Sequence, residues 1–365
     1  MAASASRTRS PAIRLRRSDT SGPGIRRRRR GKGFEYLNPD GSKVDDAEVL
    51  GRINELVIPP AWNDVWISPY PGGHIQATGV DARGRKQYLY HQKWRQRRDQ
   101  EKFDDMLRFA RSLPKLRARV DKDLASSKDL PRDRVLACAV RLLDKGFFRI
   151  GSEDYAVENE TYGLATMRKE HVTLLDDATL LFDYPAKHGK RRVQSVVDGE
   201  VAEIVGRLKR RRGGGDELLA FKDGRRWVDV RSPDINHYLK DTTGLEISAK
   251  DFRTWNATVL AAVALSVSGL RHGTKTGRKR ATVRAIKEVS HYLGNTPAVA
   301  RASYIDPRVF DRFNDGLVID PTIAVAGADE PAIQGAVEEA VLDLIAEDER
   351  SERLTDADEL DALVA

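Results

Sequence analysis

A single cysteine, Cys138, stands in 365 residues, which excludes an internal disulfide and any cysteine-based metal cluster. Its neighbours Ala137, Ala139 and Val140 are apolar, so it is expected in the core as a small hydrophobe. Long apolar runs are missing as well. No stretch approaches the roughly 18 apolar residues of a membrane span, and the Arg-rich start has no apolar segment of the secretory kind. Neither membrane anchor nor export is expected, and the protein is assigned to the cytoplasm. No internal repeat is visible. Acidic residues are scarce at the start, where residues 1–35 balance at +9, and basic ones at the end, where residues 321–365 balance at −11. The stretch 36–320 therefore carries +10 of the net +8. A folded body of that charge is suited to a polyanion, most economically nucleic acid.

With 40% hydrophobic and 32% charged residues, the chain is long enough for two cores. Residues 1–33, rich in Ser, Arg and Gly and containing the block Arg26 to Arg30, are expected to be a disordered basic tail. Such a tail adds salt-sensitive affinity for phosphates; an Arg- and Ser-rich start is also the composition of a transit peptide. From Phe34 to about Tyr90, turn signals such as Asn38-Pro39-Asp40-Gly41 and Asp81-Ala82-Arg83-Gly84 separate strand-length segments, predicting a small β-rich module. Its last strand brings Arg83, Arg85, Lys86, Tyr88 and Tyr90 together. That mix of cations and aromatics suits a nucleic-acid face, although Tyr88 and Tyr90 share one side of a strand and fit a core equally well. Helices are expected over about 91–110 and 114–124, with a hinge at Lys128-Asp129-Leu130-Pro131-Arg132. The domains are thus read as 34–127, a catalytic unit at 128–320, and an acidic surface helix with a solvated end at 321–365.

In the second unit, Val135, Leu136, Ala139, Val140, Leu142 and Leu143 repeat at helical spacing. Arg149 leaves the end of that buried helix. A small antiparallel sheet follows, with Lys187 at a hairpin tip in Ala186-Lys187-His188-Gly189-Lys190. Ser248 caps a long apolar helix that carries Lys250 and Arg253 in its first turns. The segment Arg271 to Arg280, with Lys275, Arg278, Lys279 and Arg280, reads as a flexible basic strap near phosphates. A helix from Thr282 to Leu293 then ends at Gly294, the position for a left-handed residue. Thr296 and Pro297 start a short helix as N-cap and first residue, and Pro307 limits it just after Tyr304.

The ordered set Arg149 after Leu-Asp-Lys-Gly-Phe-Phe, Lys187 in a hairpin, Lys250-Asp251-Phe252-Arg253 and Asn295-Thr-Pro-Ala-Val-Ala-Arg-Ala-Ser-Tyr304 resembles the catalytic domain of type IB DNA topoisomerases, closest to their compact poxvirus-like bacterial branch. Pro59-Pro60-Ala61-Trp62 and Lys86-Gln87-Tyr88-Leu89-Tyr90 resemble that branch's small β-rich clamp domain. The resemblance covers roughly residues 34–320. It implies an α+β fold, with a β-rich N-terminal domain and a larger, mainly helical catalytic domain holding a small antiparallel sheet.

It also implies strand transfer without metal, nucleotide or other cofactor. Tyr304 attacks a phosphodiester, leaving a 3′-phosphotyrosyl enzyme and a free 5′-hydroxyl, and the hydroxyl later reverses the step, so supercoils of both signs relax. A phenol with pKa near 10 is ionised in about one molecule in a thousand at neutral pH, a deficit of roughly 4 kcal/mol that nearby cations reduce. Arg149 and Arg253 take the non-bridging oxygens, each such contact being worth about 3 to 4 kcal/mol. Lys187 protonates the leaving oxygen, and Lys250 is auxiliary. Asn295 stands nine residues before Tyr304, where many relatives have histidine; it can donate a hydrogen bond but cannot exchange a proton. His291, within the helix, is expected to be structural or at the surface. The implied partner is double-stranded DNA, bound by a nucleoid-associated monomer. Two rival readings are a tyrosine recombinase, disfavoured by a β-rich rather than all-helical first domain, and a non-enzymatic basic DNA-binding protein.

Overall fold

The computed structural model describes residues 14–269, 274–326, 335–347 and 350–356. The chain divides into two units between Asp104 and Asp105. In the first, strands β1 (Ile25–Arg30), β2 (Gly33–Leu37), β3 (Asn63–Ile67), β4 (Ile75–Val80) and β5 (Lys86–Tyr90) form one antiparallel sheet in the order β2-β1-β3-β4-β5. Helix α1 (Ala47–Glu55) starts at Asp46, whose side chain accepts from the Glu48 and Val49 amides. One core unites Ile53 of this helix with Ile25, Val65, Ile67 and Ala77 of the sheet.

The basic block is a strand here, not a disordered tail. Gly31, at φ 56°, lets the chain turn back, and the arginines of β1 find partners on alternate faces. Arg27 donates to the carbonyls of Ile58, Pro59 and Trp62 and lies over Phe34, while Arg28 and Arg30 meet Glu35 across the strand pair. Composition predicts disorder when charge is unpaired; pairing removes that penalty. Of the expected tail, residues 1–13 lie outside the described residues.

Helix α2 (Gln92–Ala125) runs unbroken through Pro114, against the expected break. Leu113 and Leu116 beside the proline are each 1% exposed, so burial outweighs the loss of one backbone hydrogen bond. The residues from Met106 to Leu124 pack into the second unit, Phe109 edge-on to Phe252 with ring centroids 4.9 Å apart. That packing puts the division near residue 104 rather than at the expected 127.

The second unit continues with α3 (Arg132–Lys145), α4 (Glu153–Asn159) and a three-stranded antiparallel sheet of β6 (Val172–Leu174), β7 (Thr179–Ala186) and β8 (Lys190–Val197). Then come α5 (Gly199–Arg210), the hairpin β9 (Ala220–Asp223) and β10 (Arg226–Asp229), α6 (Ser232–Thr243), and the long helix α7 (Ala249–Gly269). Helices α8 (Lys275–Leu293), α9 (Pro297–Ser303) and α10 (Pro307–Asn314) carry the chain past Tyr304 to β11 (Leu317–Ile319), α11 (Pro321–Ala326), α12 (Ala336–Ala346) and β12 (Leu354–Asp356). Cys138 on α3 is fully buried, and burial pushes its thiol up to about 12. Among the described residues no helix is long and apolar enough to cross a membrane.

Two further expectations fail for one reason, tertiary contact. The basic strap is helical from Lys275 onward, because Thr274 caps it by accepting from Gly277 N–H and Ala281, Ala285 and Ile286 give it a buried face. Arg271 to Gly273 lie outside the described residues. The acidic C-terminal helix is no surface appendage either: Val337, Ala340, Val341, Leu344 and Ile345 of α12 are buried. Its Glu338 holds Arg117 and the Trp255 indole N–H, the latter at 2.8 Å.

Candidate active site

The approach to Tyr304 is built from local signals. Helix α8 ends with Gly294 in the left-handed region at φ 61°, and the Gly294 and Asn295 amides fold back onto the His291 and Ser290 carbonyls, each at 3.0 Å. This pairing lets the chain turn sharply while satisfying helix-end acceptors. Thr296 accepts from Val299 N–H, and Pro297 opens α9. Tyr304 closes that helix, its N–H reaching the Ala300 carbonyl at 3.0 Å. Thr258 of α7 then pins the segment, donating to the Tyr304 carbonyl at 3.3 Å and accepting from Asp306 N–H at 3.1 Å.

Tyr304 is only 9% exposed. It lines a cleft of about 410 Å³ together with Arg149, Lys187, Lys250 and Arg253. The Arg253 guanidinium carbon lies 5.4 Å and the Lys250 ammonium 6.0 Å from its ring centroid. Burial pushes the phenol up, but the charges of Arg253, Arg149 and Lys250 more than reverse this, leaving it below its ordinary value near 10. The cleft therefore makes the phenol easier to ionise than a free one.

Arg253 is 4% exposed on α7. Burial, reinforced by the nearby charge of Arg149, pushes its guanidinium down to about 10, still protonated at neutral pH. Its terminal nitrogens donate to the Phe147 and Leu293 carbonyls. Arg149, in the segment after α3, donates to the Asn295 side-chain oxygen and, at 3.5 Å, to the Gly294 carbonyl. In this cleft and the one adjoining it, Arg253 Nε and Asn295 Nδ2 are buried without a hydrogen-bond partner, as is Thr161 Oγ1. Native interiors rarely leave such groups orphaned, and a site for an anion is one setting in which they occur. A second cleft of about 250 Å³ shares Arg149, Arg253 and Lys187 with the first and adds Asn295. Lys187 occupies the exposed turn between β7 and β8. Six side chains read from the sequence, Tyr304, Arg149, Lys187, Lys250, Arg253 and Asn295, are thus brought to two adjoining clefts. His291 is exposed on α8.

The remaining candidates are distributed differently. On β5, Lys86, Tyr88 and Tyr90 all face outward while Gln87 and Leu89 turn inward, which settles the core alternative for the two tyrosines. Their rings stack at 6.1 Å, and the Lys86 ammonium lies 5.7 Å from Tyr88. Arg83 is exposed in the preceding turn; Arg85 pairs with Asp81 at 2.8 Å and holds that carboxyl down to about 2. In α8, Lys275, Lys279 and Arg280 are exposed, whereas Arg278 is half-buried and donates to the Asn314 carbonyl. Sequence reasoning missed Arg192 of β8, whose guanidinium reaches the end of α8. The only signal in the sequence was strand alternation, which puts Arg192 on the face opposite Arg191. Among the described residues no group of three or more His, Cys, Asp or Glu side chains is gathered as for a metal ion.

A buried phenol among fixed cations, on a basic α+β scaffold with a separate β-sheet unit, defines an enzyme that handles an anionic backbone. Comparison with known proteins gives the particular class. The family profile for the catalytic core of eukaryotic DNA topoisomerase I matches residues 91–316, and that for the N-terminal domain of bacterial DNA topoisomerase IB matches residues 33–81. DNA topoisomerase 1B of Acanthamoeba polyphaga mimivirus is 31% identical over 293 residues, 77% of this chain and 85% of the viral protein. DNA topoisomerase 1B of Vaccinia virus (strain Copenhagen) is 23% identical over 305 residues, 78% and 87% of the two chains. DNA topoisomerase 1 of Candidozyma auris is 30% identical over 161 residues, 44% of this chain but 20% of the yeast protein. The chain belongs to the type IB DNA topoisomerases. It is accordingly a DNA-binding isomerase, which sets the recombinase and non-enzymatic readings aside.

Proposed function

We propose that this enzyme relaxes positive and negative supercoils by reversible transesterification at Tyr304, without metal or nucleotide. The Tyr304 oxygen attacks the scissile phosphorus as the P–O5′ bond breaks. The DNA 3′ end becomes esterified to the tyrosine, and the 5′-oxygen leaves as a hydroxyl with a proton from Lys187. After rotation, the 5′-hydroxyl attacks the phosphotyrosine and returns the proton. Arg149 and Arg253 stabilise the charge that gathers on the non-bridging oxygens as phosphorus becomes five-coordinate. Asn295 offers its buried Nδ2 as a further donor, and Lys250 favours the ionised phenol.

One observation carries this reading above the others: Tyr304 is buried in the cleft it shares with Arg149 and Lys187, with Arg253 5.4 Å and Lys250 6.0 Å from its ring centroid, and the charges of Arg253, Arg149 and Lys250 lower its phenol. The outward face of β5 and the exposed cations of α8 are taken as duplex contacts, with the protein acting as a monomer on the nucleoid. Relaxation of a supercoiled plasmid in EDTA without ATP tests the reading. Full activity is expected; a strict magnesium or nucleotide requirement would refute it.

A further inference from the structure

The last turn of an α-helix leaves four carbonyls without intrahelical donors. At the end of α8 the chain's own turn supplies one donor to Ser290 and one to His291. Two arginines supply the Tyr292 and Leu293 carbonyls, and a third reaches Gly294 just past the helix. Arg192 of β8 donates Nη1 to the His291 carbonyl at 3.0 Å and Nη2 to the Tyr292 carbonyl. Arg253 of α7 takes the Leu293 carbonyl at 2.8 Å, and Arg149 reaches the Gly294 carbonyl at 3.5 Å. Cations at this end also suit the helix dipole.

Arg192 differs from the other two in what it connects. It lies on the strand that leaves the hairpin turn, five residues after Lys187, and its Nε is fixed by Gln194 at 2.8 Å. Its guanidinium lies against the turn: a Cβ added at Gly294 would stand in ordinary contact, 3.6 Å, with Nη1. It lines the cleft that holds Asn295, Arg149 and Lys187. Burial pushes its pKa below the ordinary arginine value, so the structure accepts a desolvation cost to keep it there. Neighbouring Arg191 instead faces solvent and pairs with Asp183. Alternation along β8 thus assigns one arginine to the surface and one to the helix end.

We infer that Arg192 is a positioning residue for the reaction: it fixes the hairpin to the end of α8, and so sets Lys187 in register with Asn295 and Tyr304. The inference rests on Lys187 being the donor of the leaving-group proton. An exposed lysine at a hairpin tip has many rotamers, and only a hairpin tied to the nucleophile's frame returns its ammonium repeatedly to the leaving oxygen. Misplacement of a reacting group by about 1 Å costs on the order of a hundredfold in rate.

The test is single-turnover cleavage by the full chain at saturating enzyme, on a short duplex whose scissile bridge is either the natural 5′-oxygen or sulfur. Sulfur departs as a thiolate and needs no proton from Lys187. Arg192→Ala is expected to slow the oxygen duplex about a hundredfold and the sulfur duplex by less than about fivefold, since proton donation no longer limits the step. Arg192→Lys should recover most of the loss. The double variant Arg192→Ala with Lys187→Ala should be no slower than Lys187→Ala alone, because both changes remove one contribution. Arg192→Gln, which keeps N–H donors without the charge, is run beside the alanine variant in case the latter does not fold; a smaller defect with the same preference for oxygen is expected. Equal slowing on both duplexes, or additive losses in the double variant, would overturn the inference while leaving Lys187 in its role. Absence of sulfur rescue in Lys187→Ala itself would overturn both.

Discussion

Two of the places where tyrosines stand beside cations, β5 and the cleft, are built in opposite ways. On β5, Tyr88 and Tyr90 are 42% and 41% exposed, with Lys86 alongside in solvent. In the cleft, Tyr304 is 9% exposed, with Arg253 at 4% against its ring. Water screens the first set, so its charges act as a soft footprint for phosphates. The second set is shielded, and the same types of charge act strongly enough on Tyr304 to reverse the effect of burial on its phenol. Residue type alone therefore does not separate a contact surface from a reaction centre. Depth, and the rigidity of the elements supplying the charge, do.

The sharpest way to break this contrast is Tyr304→Phe. It should abolish relaxation while duplex binding survives, as followed by plasmid relaxation and by fluorescence anisotropy; residual relaxation would move the chemistry elsewhere. Next in size is the neighbour with the orphaned donor. Asn295→Ala should slow single-turnover cleavage about ten- to a thousandfold, in line with loss of one oxyanion donor. Asn295→His should retain much of the rate because imidazole offers an N–H, whereas His291→Ala should be nearly silent. A His291→Ala defect as large as that of Asn295→Ala would reverse the assignment.

A smaller effect concerns pH. Cleavage should rise with pH and level off below 10, since the folded phenol ionises below its ordinary value. Lys250 contributes to that lowering, so Lys250→Ala destabilises the phenolate and should move the rising limb to higher pH; Lys250 is exposed, so the displacement is modest. A limb that stays in place, or moves to lower pH, would remove Lys250 from the field at Tyr304. The smallest effect belongs to β5. Lys86→Ala should reduce the slope of log affinity against log salt by about one and leave cleavage at saturating DNA unchanged. A loss of saturated cleavage rate would mean that β5 takes part in more than holding DNA.

What the sequence made legible was local. Gly294, Thr296, Pro297 and Pro307 each carry a backbone requirement, and the structure uses all four at the ends of α8, α9 and α10. Turn signals at Asp81 to Gly84 likewise located β5 as a strand-length segment, and the apolar face after the Ser248 cap located the helix that bears Arg253. What it concealed depended on distant partners. The arginines of β1 look disordered until Glu35 and the Ile58–Trp62 carbonyls are seen to receive them. Pro114 looks like a break until the buried leucines around it are counted. Helix α12 looks solvated until Glu338 is found between Arg117 and Trp255. Arg192 belongs to this second kind, since its partners lie about a hundred residues away, at His291 and Tyr292.

The account stands most directly on the identity of the atom that becomes linked to DNA. Incubating the full chain with end-labelled duplex in EDTA, quenching with denaturant, and mapping the cross-linked peptide by mass spectrometry reads that atom out. A 3′-phosphate joined to Tyr304, with a free 5′-hydroxyl on the other fragment, is the predicted result. A linkage through another residue, or to the 5′ side of the break, would contradict it.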